Sequence, residues 1–199
     1  MRRPRGASRR RSLRAAVRQQ RADAAAHRLV LLAQDLEGYK NICRLSTLGR
    51  TRCAKGSAWV SWQELTDRNQ GVLILSGGND GPIDAAWRQG QLRAAFDWAM
   101  RLASCFGDRA YLEINHHFVP GDDDRMRDLL QLAETTGLQA VFSQNVRFAE
   151  PGVRRLYDVQ TCIREKHTLL AAGQRLQINA ERYLHDRETL YQYYARLSP

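Results

Sequence analysis

Residues 112–148 read LEINHHFVPGDDDRMRDLLQLAETTGLQAVFSQNVRF. The order is an apolar strand candidate, a polar turn, an amphipathic helix carrying Leu129, Leu130 and Leu132, a second turn and a second strand candidate, AVFSQN. Both strand candidates end in polar residues, NHH and SQN. A strand, helix and strand in succession favour an α/β class in which a crossover helix covers a mainly parallel sheet. Such sheets place their functional loops at the strand C-terminal ends. Chemistry is therefore to be sought at Asn115–His117 and Gln144–Arg147.

The upstream chain follows the same alternation. RLVLLA, from Arg28, suits a buried strand, and LEGYKNICRLSTL puts Leu36, Tyr39, Ile42, Cys43 and Leu45 on one helical side. GVLILS, flanked by glycine on each side, is another strand. The stretch from Pro82 to Phe106 reads as one long helix, with Trp87, Phe96, Met100 and Leu102 as its apolar residues and Pro82 in its first turn. AYLEIN follows. Four β/α units in a row predict outer helices on a mainly parallel sheet.

The chain has 199 residues, 43% of them apolar and 26% charged, enough for one sizeable core. Its net charge of +10 sits almost wholly at one end. Residues 1–28 hold ten arginines and one aspartate, a net of +9, leaving +1 for the rest. Such a leader self-repels as a helix and reads as flexible or marginally helical. It could contact phosphates without sequence preference and with strong salt dependence; an aberrant start is the favoured alternative, and an organelle-type presequence is the third reading. The four cysteines, Cys43, Cys53, Cys105 and Cys162, form no C-x-x-C pair, which points away from zinc ribbons and disulfide scaffolds and toward a reducing cytoplasm. No run approaches the roughly 20 apolar residues of a membrane-spanning helix, and no membrane partner is expected.

Several motifs together, GYKNICRL, SWQEL, GVLILSGG, LEINHH, SQNVRF and DVQTCIREKHTLLAAGQRLQINAERYL, resemble the PHP domain of the bacterial C-family DNA polymerase III alpha subunit, most closely its error-prone branch. The resemblance implies a distorted β/α barrel of which the later β/α units are present, a partial PHP domain over residues 29–157. Residues 158–199 would be a helical segment leading toward a polymerase palm absent from this chain. It also implies that the early strands, which carry an H-x-H motif and other ligands for two or three divalent metals in relatives, do not precede Leu29. The sheet edge beside RLVLLA should then be open, favouring aggregation. The parent function would be DNA-directed DNA synthesis in replication, damage repair and translesion synthesis. Partners would be DNA and other polymerase or mutasome subunits.

Weighed by residue, the resemblance aligns His117 with a family metal ligand. At the next strand end Asn145 stands for a ligand aspartate and Arg147 for a ligand histidine. An amide is a poor substitute and a guanidinium repels cations, so His117 reads as a vestigial ligand, no cofactor is expected, and no catalytic residue is assigned. His116 reads as a neighbour pointing elsewhere. The GDDD at Gly121–Asp124 fits a helix N-terminus better than a metal cluster. LSGGND lacks P-loop spacing and reads as a turn. Trp59 and Trp62 fit packing better than base stacking, and Cys43 and Cys162 fit apolar helical faces.

The expected function is that of a scaffold fragment of an error-prone DNA polymerase, without polymerase activity of its own. The alternatives are a small basic nucleic-acid-binding or interaction protein using the arginine-rich arm and, ranked lower, a metal-dependent phosphoesterase.

Overall fold

A computed structural model describes residues 13–18, 27–55 and 57–195, with only the backbone described for 13–18. Two compact units emerge, one taking in the chain through Leu112 with Thr136–Gln139, the other Glu113–Thr135 with the chain from Ala140.

The first unit contains β1 (Leu13–Arg18), β2 (His27–Ala33), α1 (Leu36–Thr51), β3 (Val60–Ser61), α2 (Trp62–Thr66), β4 (Val72–Leu75), α3 (Pro82–Arg88), α4 (Leu92–Phe106) and the start of β5 (Ala110–Ile114). Its strand order is β3-β1-β2-β4-β5. β4 and β5 pair in parallel through Ile74↔Ala110, as a β/α/β crossover requires. The parallel pattern has an exception in β2, which runs antiparallel to β4 through Val30↔Leu75 and antiparallel to β1 through Val17↔His27.

β1 changes the expectation for the leader. Leu13–Arg18 is a strand, and it occupies the edge of β2 that the sequence left open. An extended arginine-rich segment avoids the self-repulsion of a helix while giving the edge carbonyls and N–H groups of β2 a partner. The rest of the leader before His27 lies outside the described residues.

Two helices differ in detail from the sequence reading. In α1, Ile42 and Leu45 are buried, but Leu36 and Tyr39 are exposed. Gly38 and Asn41 take their place on the inner face. A Cβ on Gly38 would lie 1.7 Å from the Gly71 carbonyl oxygen, so only glycine lets α1 come this close to the turn before β4. Asn41 Nδ2 donates to the Gln70 carbonyl at 3.0 Å, and the Asp35 side chain caps Gly38 N at 2.8 Å. The GYKN motif thus encodes a helix-to-turn contact. The long helix from Pro82 is two helices, broken where Gly90 adopts φ 69°. The break rephases the second half, so that Ala95, Trp98, Ala99, Leu102 and Phe106 face inward while Met100 is exposed. Trp62 packs edge-on against Trp98 and Phe106, with ring centroids at 5.7 and 6.4 Å, and Arg52 lies over Trp59. LSGGND is a turn leading into α3.

The second unit contains the end of β5, α5 (Asp122–Thr136), the end of β6 (Gln139–Phe142), α6 (Arg154–Glu165), α7 (Leu169–Ala172) and α8 (Arg187–Ala195). Ser143 N donates to the Ile114 carbonyl at 3.0 Å, bringing together the residues that follow β5 and β6. The chain then returns: Phe148 bridges Tyr183, and α8 starts where Asp186 accepts from Thr189 N at 2.8 Å. Cys162 is buried and Cys43 half-buried, and all four thiols are free. No helix among the described residues is long and apolar enough to cross a membrane.

Candidate site around His116 and His117

Within the second unit, the three residues after β5 are almost completely buried, although all are polar: Asn115, His116 and His117. Burial of such groups is tolerable only when their hydrogen bonds are met. Asn115 Nδ2 donates to the Ser143 carbonyl at 2.9 Å and reaches Ser143 Oγ at 2.7 Å, while that hydroxyl donates to Glu113 Oε1. This clamp joins the two strand ends.

Asp122 organises the loop between β5 and α5. Its Oδ2 accepts from His117 N at 2.7 Å and from Val119 N at 3.3 Å, and its Oδ1 faces Arg125 Nη2 at 3.0 Å. Arg125 also donates to the Asn115 carbonyl. Both partners are buried, and the carboxylate is held by one guanidinium and two backbone donors. The three aspartates therefore divide their work. Asp122 bonds backward to the loop, Asp123 meets His116, and exposed Asp124 pairs with Arg127 at 3.0 Å.

The two histidines diverge. His117 Nε2 lies 2.9 Å from the Gln144 carbonyl, and a carbonyl can only accept, so Nε2 carries the proton. Burial drives the His117 pKa down to about 4; the Gln144 carbonyl opposes the shift, and the positive charges of Arg182 and Arg125 add to it. Asn179 Nδ2 donates to the His117 carbonyl. His116 instead turns Nε2 to Asp123 Oδ1 at 2.9 Å. Its Nδ1 lies 3.2 Å from the Tyr193 hydroxyl, which also donates to the His116 carbonyl at 2.7 Å. Phe118, at φ 54°, stacks edge-on with Tyr193. Burial raises the Tyr193 pKa far above its ordinary value, and pushes the Tyr194 pKa up to about 12.

The structure thus brings His117 to the 143–147 segment through the Gln144 carbonyl. Asn145 takes a left-handed φ of 46°, and Arg147 N donates to the Arg182 carbonyl at 2.8 Å. Among the described residues no three His, Cys, Asp or Glu side chains converge as a metal would need. The described donors at the expected place fit a divalent cation poorly: His117 can offer only Nδ1, since Nε2–H is donated to a carbonyl, and the segment after β6 brings an amide, Asn145, and a guanidinium, Arg147, in place of a carboxylate and an imidazole. Sequence reasoning missed three participants. Asp122–Arg125 has i, i+3 spacing that could have signalled a pair; the Asn115–Ser143 clamp and the return of Tyr193 depend on contacts 28 and 77 residues apart in the chain, which leave no local trace.

Residues 11–117 match the PHP domain family. The match begins within the arginine-rich leader and ends at His117. The chain is 38% identical over 158 residues to an error-prone DNA polymerase of Pseudomonas paraeruginosa, covering 79% of this chain and 14% of that protein. It is 30% identical over 168 residues to error-prone DNA polymerase 1 of Agrobacterium fabrum, covering 84% of this chain and 14% of that protein. With the DNA polymerase III subunit alpha of Caulobacter vibrioides it shares 29% identity over 175 residues, 87% of this chain and 15% of the relative. The chain therefore spans about one seventh of the length of these curated relatives.

Proposed function

The chain belongs to the PHP domain family, and we propose that it acts as a scaffold: the PHP portion of an error-prone DNA polymerase of alpha-subunit type, without a working metal centre. The polymerase names of the relatives support the assignment to that kind of protein. The observation that carries the scaffold reading is the strand end after β6, where Asn145 and Arg147 put an amide and a guanidinium at the two positions that resemble a ligand aspartate and a ligand histidine. His117, at the remaining ligand-like position, would have to act without them. The hydrogen bonds of His116 and His117 to Asp122, Asp123, Gln144, Asn179 and Tyr193 tie the strand end to the loop that follows it and to α8. Nucleotidyl transfer or phosphoester hydrolysis would need carboxylates or imidazoles converging on metal, and the described residues bring no such set together.

The proposed partners are DNA and the other subunits of a replicative or mutagenic polymerase assembly, in the cytoplasm. The arginine-rich residues before His27 would add a sequence-independent, salt-sensitive contact to nucleic acid.

Elemental analysis after dialysis against Zn²⁺ and Mn²⁺, with p-nitrophenyl phosphate turnover measured in parallel, tests the scaffold reading. The expected result is less than one metal per chain and no turnover above buffer. Two or more metals per chain, bound with turnover that His117→Ala abolishes, would overturn it in favour of a phosphoesterase.

A further inference from the structure

Helix α6 carries its apolar stripe on the outside. Its buried residues are Asp158, Thr161 and Cys162, whereas Leu156, Val159 and Ile163 are exposed, Ile163 by 72%. At about 3.6 residues per turn, positions spaced i, i+3 and i+7 share one face, and here it is opposite the buried one. Single exposed leucines are ordinary, but an aligned stripe on one helix is not. The inner face of α6 meets the unit through buried Cys162, through Tyr157, whose ring lies 5.9 Å from that of Phe148, and through Asp158, which accepts from Gln177 N at 3.0 Å. None of these contacts uses the outer stripe. Neighbouring α7 adds Leu169, half exposed, and Leu170, fully exposed.

The rim of the stripe is basic. Arg155 and Arg164 flank it on either side, and Lys166 caps the helix C-terminus. The acidic neighbour, Glu165, is already engaged by Arg164 and Arg175, each at 3.4 Å. We propose that the outer face of α6 is a docking surface for an acidic amphipathic helix of a partner protein. Its apolar residues would cover Leu156, Val159 and Ile163, and its carboxylates would meet Arg155, Arg164 and Lys166. A second copy of this chain fits poorly, because two α6 faces would bring like charges together. The inference rests on the exposed stripe of α6 and its basic rim.

The test uses the full chain and a fluorescein-labelled synthetic helical peptide of about 18 residues, long enough to hold a helix, with a leucine stripe and glutamate flanks. Fluorescence anisotropy should give a Kd on the order of micromolar, as a small interface allows. Ile163→Glu should weaken binding at least about tenfold, the effect of losing a central apolar anchor. Arg155→Glu should weaken the acidic peptide and strengthen a lysine-flanked version of it. Unchanged melting curves are expected for both variants, since both side chains are exposed. Absence of saturable binding, equal binding of the lysine-flanked peptide by the unsubstituted chain, or indifference to Ile163→Glu would each overturn the proposal. So would tighter, Ile163-dependent binding of anionic vesicles or a single-stranded oligonucleotide, which would assign the face to lipid or nucleic acid.

Discussion

The two units of the molecule both bury apolar side chains but differ in how much polar chemistry they bury with them. The first is centred on Leu29, Ile74, Ile83, Leu102 and Phe106, all essentially fully buried, and among its described residues Asn41, Ser76 and Asp84 are the buried polar side chains. The second buries Glu113, Asn115, His116, His117, Asp122 and Arg125 within a single stretch of 13 residues. Apolar burial is non-directional and tolerates imperfect fit. A buried polar network gives little net stability when complete but is costly once one member is removed. The second unit should therefore be the more brittle one.

The largest expected effect tests that brittleness. Asp122→Ala removes one buried partner of the Arg125 guanidinium and strips the His117 and Val119 N–H groups of their acceptor. The expected loss is about 3–5 kcal/mol. Hydrogen exchange should show the amides of residues 113–135 opening while those of β2 and β4 keep their protection. Leu102→Ala, costing roughly 2–5 kcal/mol by cavity formation, should do the reverse. Equal loss of protection in both units from either substitution would break the comparison.

A smaller effect, confined to acid, separates the units by pH. His117 stays neutral in the folded unit down to about pH 4, whereas an unfolded histidine protonates near 6.5. Above the unfolded pKa neither state binds the proton and the stability is intact. Between pH 6.5 and 4 the unfolded chain alone takes it up, so stability falls, by at most about 1.4 kcal/mol per pH unit, and then levels off. His117→Gln keeps an N–H donor for the Gln144 carbonyl without the titration. Urea melts from pH 7 to 4 should show the unsubstituted chain losing more stability than the variant; parallel curves would mean that His117 does not supply the acid sensitivity.

The same contrast explains what the sequence disclosed. Elements of the first unit were legible because their signals are local: the apolar runs of β2 and β4, and Pro82 at a helix start. The phase of α1 was not, because its inner face is set by Gly38 meeting a carbonyl 33 residues away. β1 was hidden because arginines obscure a strand whose reason to exist is the neighbouring edge. At the site, the ends of β5 and β6 could be marked as functional positions from the polar residues that close each strand. What those residues touch could not be, since Ser143, Asn179 and Tyr193 arrive from distant parts of the chain.

The smallest effect lies in two helix starts that look alike in sequence. Both Ser61 and the aspartates after Gly121 stand where N-caps are selected, yet they do different things. Ser61 accepts from Glu64 N at 3.2 Å while Glu64 Oε2 accepts from Ser61 N at 2.8 Å, a reciprocal capping box on α2. Asp124, in the first turn of α5, is exposed and pairs across the surface with Arg127 at 3.0 Å. Removing Ser61 Oγ leaves a backbone donor without its acceptor, so Ser61→Ala should cost about 1 kcal/mol. Asp124→Ala gives up a solvent-screened ion pair and some dipole attraction, about 0.5 kcal/mol and less as salt rises. Denaturant melts of the two variants at low and high salt check the order: a larger loss for Asp124→Ala at low salt, shrinking at high salt, would mean that the second unit depends on its surface charges as much as on its buried ones.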